Sequence, residues 1–366
     1  MKNTFGNNLT VTLFGESHGE EIGAVIDGLA PGIAVNEEFI ASQLTLRRPA
    51  GTISTARVEA DKFRIVSGVY DGVTTGTPIC ILIPNENRKS KDYDQLKALA
   101  RPGHADYTAE CKYHGFQDHR GGGHFSGRLT AAIVAAGAIV IDALRQKGIY
   151  IGTQIRYLHS VSDRDFSPER LEEDINKLNS SEFAVLDEAA SERMKKEIVK
   201  AKNEGDSVGG VLRTAVIGLP AGLGEPWFDS MESLISHAMF SIPGIKGVEF
   251  GDGFRMAELY GSEVNDSFRM KDGKVVTETN HNGGINGGIT NGMPIMFSCA
   301  VKPTPSIFKD QRTVNMETGE NAVLSLSGRH DPAIIHRARV VVDSMTALVL
   351  CDLLSGRYGT DWLGGR

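Results

Sequence analysis

Short apolar runs bounded by glycine, proline or asparagine recur along the chain, and each predicts a β-strand. They are "LTVTLFG" (9–15), "KFRIVSGVY" (62–70), "PICILIP" (78–84), "GGVLRTAVIGLP" (209–220) and "MPIMFSCAV" (293–301). Between them the apolar spacing lengthens to a helical period. "NEEFIASQLTLRR" (36–48) predicts a helix with Asn36 as N-cap, acids in its first turn and arginines in its last. "SPERLEEDINKLN" (167–179) predicts a helix capped by Ser167 with Pro168 at its first position. "LDEAASERMKKEIVKAKNEG" (186–205) predicts an amphipathic helix that stops at Gly205. The run "LTAAIVAAGAIVI" (129–141) is apolar on every side and ends at Asp142, so it predicts a buried helix. It falls short of the roughly 18–20 apolar residues needed to cross a bilayer.

These elements describe a mixed α/β chain without regular βαβ alternation. No low-complexity linker divides it, so residues 1–366 are expected to form one large domain. The charged 162–207 segment reads as a solvated helical insertion with intrahelical ion pairs.

Composition narrows the function classes. The 366 residues are 40% hydrophobic and 23% charged, which fits a globular protein with a sizeable core. Acidic residues outnumber basic ones by 46 to 39, for a net charge of −7. That argues against a general nucleic-acid binder, because phosphate-backbone affinity needs a basic excess. Any anionic ligand must be held by a local basic cluster. Cys80, Cys111, Cys299 and Cys351 have no paired spacing, which argues against a disulfide framework or a zinc site. No secretory leader is legible in "MKNTFGNNLTVTLFG", so a cytoplasmic protein with no membrane partner is expected.

Several loops concentrate chemistry. "FGESHGEEIG" (14–23) sets Ser17 and His18 between glycines after a predicted strand. It matches the G-x-S-x-G nucleophile elbow, though little chain lies upstream for the strands and oxyanion loop an elbow needs. "LRRPAG" (46–51) ends a helix on Arg47 and Arg48, either to complement its dipole or to aim two guanidinium groups at phosphate or carboxylate. "RPGHADYT" (101–108) puts Arg101, His104 and Asp106 on one loop, and imidazole suits proton transfer near neutral pH. In "RGGGHFSGR" (120–128) three glycines allow positive φ and close backbone approach to an anion or a flavin ring, with Arg120, His124, Ser126 and Arg128 around them. The spacing is neither that of a dinucleotide loop nor that of a P-loop, and the glycines would equally allow tight packing before a core helix. Downstream, "GGINGGITNG" (283–292), "KPTPSI" (302–307) and "SGRHDP" (327–332) add glycine turns and place Arg329 beside Asp331. The sum calls for a polyanionic small-molecule substrate, proton transfers and a site assembled from the whole chain. A serine hydrolase built on Ser17 and a non-catalytic flavin- or phosphopeptide-binding module are the alternatives.

The ordered series "FGESHG", "RRP", "GVTTGTPI", "SKDY", "RPGHADYT", "RGGG..S.R.TAA..AAGA", "GDS.GG", "PAGLGEP", "KGVEFGDGF", "GGI.GGI..G.PI", "KPT.SI" and "GRHDP" resembles the chorismate synthase family over nearly the whole chain. The resemblance implies an α+β fold, a β-α-β sandwich with helices packed between two antiparallel sheets, assembled as a homotetramer. It implies a lyase converting 5-enolpyruvylshikimate 3-phosphate to chorismate by anti-1,4-elimination. It also implies a flavoprotein of the FMN and FAD group, using reduced FMN (FMNH2) without net redox change, with NADPH or a separate flavin reductase as the source of electrons.

The resemblance also implies roles. His18 would protonate the leaving phosphate, and His104 would serve the N1 side of the flavin. Asp331, with Ser17 and Ser126, would relay the ring proton. Arg47, Arg48, Arg101, Arg128 and Arg329 would surround the substrate's phosphate and carboxylates, and Arg47 would also serve NADPH. Flavin contacts would come from His124, Phe125, Ser126, Pro243, Gly244, Gly287, Lys302, Pro303, Thr304, Pro305, Ser306 and Arg329. Three stretches depart from the family pattern. "RRPAGTISTAR" is about one residue short and leaves Arg57 as its only later arginine, "HFSGR" replaces an Arg-Ser-Ser-Ala-Arg run, and Pro243-Gly244 replaces an Asn-Ala pair.

Overall fold

A computed structural model describes residues 2–49, 51–54, 60–86, 98–326 and 331–364. Two five-stranded antiparallel sheets form its outer layers. The first runs Thr4–Phe5, Thr10–Gly15, Glu21–Asp27, Ile79–Pro84, Arg64–Ser67 in spatial order. The second runs Ile245–Phe250, Ile295–Val301, Gly210–Ile217, Tyr150–Leu158, Val161–Ser162.

Between the sheets lie two long helices, Thr130–Gln146 and Ile335–Tyr358, packed on each other. The first also packs on the Glu21–Asp27 and Ile79–Pro84 strands, and the second on Tyr150–Leu158 and Gly210–Ile217. The β-α-β sandwich implied by the resemblance is therefore the fold. The Thr130–Gln146 helix is buried almost throughout, as its all-round apolar sequence requires. Each fully buried Ile or Val there contributes about 1.5–3 kcal/mol of burial. The two helices meet at Gly137, where a Cβ would lie 2.4 Å from that of Ser344, so glycine permits the close crossing. With Gly127–Leu129 in front, this stretch is long and apolar enough to span a membrane, yet 89% of its most apolar window is buried inside the protein.

The strands expected near 9–15, 78–84, 209–220 and 293–301 form, and 62–70 divides into Arg64–Ser67 and Val69–Tyr70. The Glu37–Arg47 helix is capped as expected, with Asn36 Oδ1 accepting from the Phe39 N–H at 2.9 Å. Ser167 does not cap its helix. Its hydroxyl donates to Glu169, a 3-10 turn follows at Pro168–Arg170, and the α-helix runs Leu171–Asn179. The 162–207 segment is less solvated than its charge suggests. Ile175 and Leu178 pack with Ala215 and Met296 in a separate apolar cluster, and Met194 and Ile198 reach the main core. Ile175 sits over Gly152, where a Cβ would come within 3.0 Å of it.

Candidate active site

Glycine conformations and side-chain caps build the site from loops at one edge of the sandwich. The "FGESHG" stretch is the turn of a hairpin between Thr10–Gly15 and Glu21–Asp27. Asn85 holds it, its Nδ2 donating to the carbonyls of Glu16 and Gly19, both at 3.0 Å. A nucleophile elbow turns from strand into helix. Ser17 instead turns from strand into strand, so the geometry removes the basis for the serine-hydrolase reading.

Gly121, Gly122 and Gly123 adopt φ of +60°, +85° and +52° and run between two imidazoles. A Cβ on Gly121 would sit 2.2 Å from Cε1 of His18 and 3.1 Å from Oγ of Ser17. One on Gly122 would sit 3.1 Å from Cε1 of His104, and one on Gly123 only 1.9 Å from the Asp118 carbonyl oxygen. The Ser17 N–H donates to the Gly123 carbonyl at 3.1 Å, fixing the hairpin turn to the glycine strip. Arg120 pairs with Asp118 at 2.9 Å, is exposed, and stays outside the cavity.

His104 belongs to a tight network. Its Nδ1 lies 2.8 Å from Asp106 Oδ1, and Arg101 reaches the same carboxylate through Nε and Nη2, both at 2.7 Å. Arg101 Nη2 also lies 3.0 Å from that Nδ1. An ionised carboxylate can only accept, so the 2.8 Å contact with Asp106 assigns the ring proton to Nδ1, which then does not accept from Arg101. Burial alone would raise the Asp106 carboxyl, but hydrogen bonds and charge from Arg101 and His104 outweigh it and hold the group well below the usual carboxylate range.

A second network joins the arginines. Buried Asp61 ion-pairs with Arg47 at 3.2 Å through one oxygen and with Arg128 through the other. Arg47 also donates to Thr130 Oγ1 at 2.9 Å and to the carbonyls of Gly127 and Arg128. Arg128 donates to Asn85 Oδ1 at 2.9 Å, and Arg48 to the Ala60 carbonyl. Asp331 pairs with Arg337, whose Nε donates to the Arg47 carbonyl at 2.8 Å.

These groups line one open cavity of about 1500 Å³. Its walls include His18, Arg47, Arg48, Arg101, His104, Arg128 and Asp331, together with His124, Phe125, Ser126, Pro243, Gly244 and Lys302 through Ser306. Lys2, Lys246 and Arg337 add further cations, and Asp61 a second carboxylate, so among the described residues eight Lys and Arg side chains face two acids in a chain of net charge −7. That is the local basic cluster an anion needs. Gly287 stands apart, exposed in the hairpin of Ile285–Asn286 with Ile289–Thr290, and does not line the cavity. Ser17 is buried behind the glycine strip rather than on the cavity wall. Arg329, the "SKDY" stretch and Arg57 lie outside the described residues.

Asp61, Asn85 and Arg337 are not among the candidates read from the sequence. Asp61 and Asn85 stand in segments with no glycine or histidine signature. Arg337 stands in a basic cluster, His336-Arg337-Ala338-Arg339, ahead of an apolar run, which by itself reads as a solvated helix start.

The family model described as chorismate synthase matches residues 9–354. Chorismate synthase of Thermococcus gammatolerans is 47% identical over 96% of this chain and 97% of its own length. That of Pyrococcus abyssi is 47% identical over 95% and 96%, and that of Lachnoclostridium phytofermentans 45% identical over 96% and 94%. A solved structure titled "Crystal Structure of Chorismate Synthase" superposes with a TM-score of 0.77 at 30% identity, covering 97% of this chain and 94% of that one. Sequence, fold and cavity thus agree, and the chain belongs to the chorismate synthase family.

Proposed function

We propose that this chain is a lyase that converts 5-enolpyruvylshikimate 3-phosphate to chorismate, eliminating phosphate and a ring hydrogen in the last common step of the shikimate pathway. The observation that carries the reading is the glycine strip passing between His18 and His104 beside a cavity with eight basic side chains.

The cavity suits a large planar cofactor. Phe125 and Pro243-Gly244 offer flat apolar and backbone wall, and Thr304 keeps a buried hydroxyl without a hydrogen-bond partner among the described residues. These residues, with His124, Ser126 and the Lys302–Ser306 segment, would hold a flavin. Reduced FMN, when bound, supplies an electron-rich ring beside the substrate with no net redox change.

The chain's own groups do the rest. Arg47, Arg48 and Arg128 hold the substrate's phosphate and carboxylates, and Asp61 keeps two of those guanidinium groups in register against their mutual repulsion. Arg101 is committed to Asp106, so it acts by fixing His104 as well as by its charge. His18 donates the proton that makes phosphate a better leaving group. His104, with its Nδ1 proton on Asp106, presents Nε2 for exchange. Asp331 takes up the ring proton, with the Ser126 hydroxyl at the same cavity wall to pass it on; Ser17, behind the glycine strip, supports His18 and the turn instead. NADPH was expected at Arg47; the donors of that residue serve Asp61, Thr130 and two carbonyls, so towards substrate and NADPH alike it acts through its charge rather than through a bidentate fork.

A homotetramer in the cytoplasm completes the proposal. Exposed Trp227, Phe228, Phe254 and Tyr260 are suited to subunit contact, and all four cysteines are free. Sedimentation at micromolar concentration tests the assembly.

Phosphate release with FMN and NADPH in air, compared with chemically reduced FMN without oxygen, tests the chemistry. Activity only in the second condition assigns the reductant to a separate reductase, and activity in both assigns it to this chain. A folded protein inactive in both refutes the reading.

A further inference from the structure

We propose that Arg337 is a positioning residue that sets the separation between the anion-binding Arg47–Arg48 turn and the carboxylate of Asp331. Arg337 lies in the first turn of the Ile335–Tyr358 helix, at the cavity wall. Its Nη1 ion-pairs with Oδ2 of Asp331, and its Nε donates to the Arg47 carbonyl at 2.8 Å, across 290 residues of sequence. That carbonyl ends the Glu37–Arg47 helix, where the last C=O groups lack intrahelical donors and the dipole favours a cation. One planar guanidinium therefore ties the end of one helix to the loop that enters another. Both tied segments carry groups that face the cavity.

Rigidity is the point of the arrangement. The fork of Arg337 is fixed by its planarity, so it couples the position of Asp331 to that of the Arg47 carbonyl and contributes directly to the spacing between proton acceptor and anion clamp. The core-facing side chains of the helix, among them Val340, Val342 and Leu348, do not depend on these contacts. Lysine at 337 would carry a single ammonium group, able to keep the ion pair but unable to span to the Arg47 carbonyl in the same geometry.

The inference rests on the reading of Asp331 as a group that takes up a proton, and the experiment separates the two. Turnover is measured anaerobically with reduced FMN for Asp331→Asn, Arg337→Gln, Arg337→Lys and the Asp331→Asn/Arg337→Gln pair, with thermal unfolding of each. Arg337→Gln is expected to lower kcat about 10–100-fold, since misplacing a reacting group by about 1 Å costs about 10²-fold. Arg337→Lys should fall between Gln and the parent. On an Asp331→Asn background, Arg337→Gln should cost less than about threefold, because groups acting as one unit are not additive. A full multiplicative loss in the pair, or an Arg337→Gln enzyme within about threefold of the parent, overturns the proposal. So does a loss that simply follows the unfolding midpoint in both Arg337 variants, which would make the residue structural. An Asp331→Asn enzyme within about threefold of the parent instead removes the reading of Asp331 itself, and the strut falls with it.

Discussion

Adding one methyl group at Gly121 tests why three glycines stand in front of a core helix. In Gly121→Ala the new Cβ starts 2.2 Å from Cε1 and 2.3 Å from Nδ1 of His18. An ordinary contact begins near 3.4 Å, so the imidazole must retreat by about 1.2 Å (3.4 − 2.2). The backbone adds its own cost, because alanine at φ +60° is disfavoured by roughly 1–2 kcal/mol. A stability loss of about 1–3 kcal/mol is therefore expected, with a loss of turnover of about 10²-fold from the displaced ring. Gly261→Ala, at a glycine outside the cavity, is the control. Nothing lies within 4 Å of its Cβ position and its φ is not in the left-handed region, so activity within about threefold of the parent is expected. Anaerobic phosphate release and urea unfolding measure the two effects separately. On a His18→Ala background the stability loss of Gly121→Ala should shrink to the backbone part, because the ring it strikes is gone. A folded Gly121→Ala enzyme that keeps turnover within about threefold would refute the placement of His18 against the glycine strip.

Three other perturbations probe separate parts of the account. Asp106→Asn removes the charge and one of the two acceptor oxygens that fix His104 and Arg101, and a turnover loss of about 10²-fold or more is expected in the same assay. The Asp106 carboxyl is depressed in the fold, so its contribution to stability is fully present above its ordinary value of 3.8 and is lost as pH falls below it; urea unfolding of the Asn variant should show a shallower acid limb there. Burial, with some help from Arg337, pushes His336 down from 6.5 to about 4. The contribution of His336 to folding stability should therefore be constant above pH 6.5 and fall by about 3 kcal/mol as pH drops towards 4; the difference in slope between parent and His336→Asn measures it, and equal slopes would contradict it. Asp352 accepts the backbone N–H groups of Asn7, Asn8 and Leu9, so Asp352→Ala should cost about 3 kcal/mol in chemical denaturation, and a cost below about 1 kcal/mol would contradict the anchoring role.

Legibility in the sequence followed the kind of signal each part carries. The buried 129–141 run and the capped 36–48 helix were legible because apolar period and cap chemistry are local. The Ile335–Tyr358 helix, equally central, was not. It buries Arg339 and Asp343, which pair with each other and with the Ser181 carbonyl and the Thr153 hydroxyl, so charged letters stand at core positions. The two charges pair at i,i+4 and their remaining polar partners lie 158 and 190 residues away, so the letters alone read as an exposed ion pair rather than a buried one. The site divided in the same way. His18, His104, Arg47 and Arg128 sit in glycine-marked loops, and the fold gathers them at one cavity. Asp61 and Arg337 hold those residues in place from unmarked segments, and only the folded chain reveals them. Gly287 shows the converse: a strong motif whose glycine shapes a hairpin outside the cavity. The 167–179 stretch has good helix-start chemistry at Ser167, but local competition from Glu169 diverts the hydroxyl.

The most direct test is product analysis on 5-enolpyruvylshikimate 3-phosphate, without oxygen and with a catalytic amount of chemically reduced FMN. The account predicts chorismate and phosphate in equal amounts over many turnovers, with the flavin still reduced at the end. Phosphate without chorismate, products limited to one per flavin, or no turnover by folded protein that binds both ligands would contradict it.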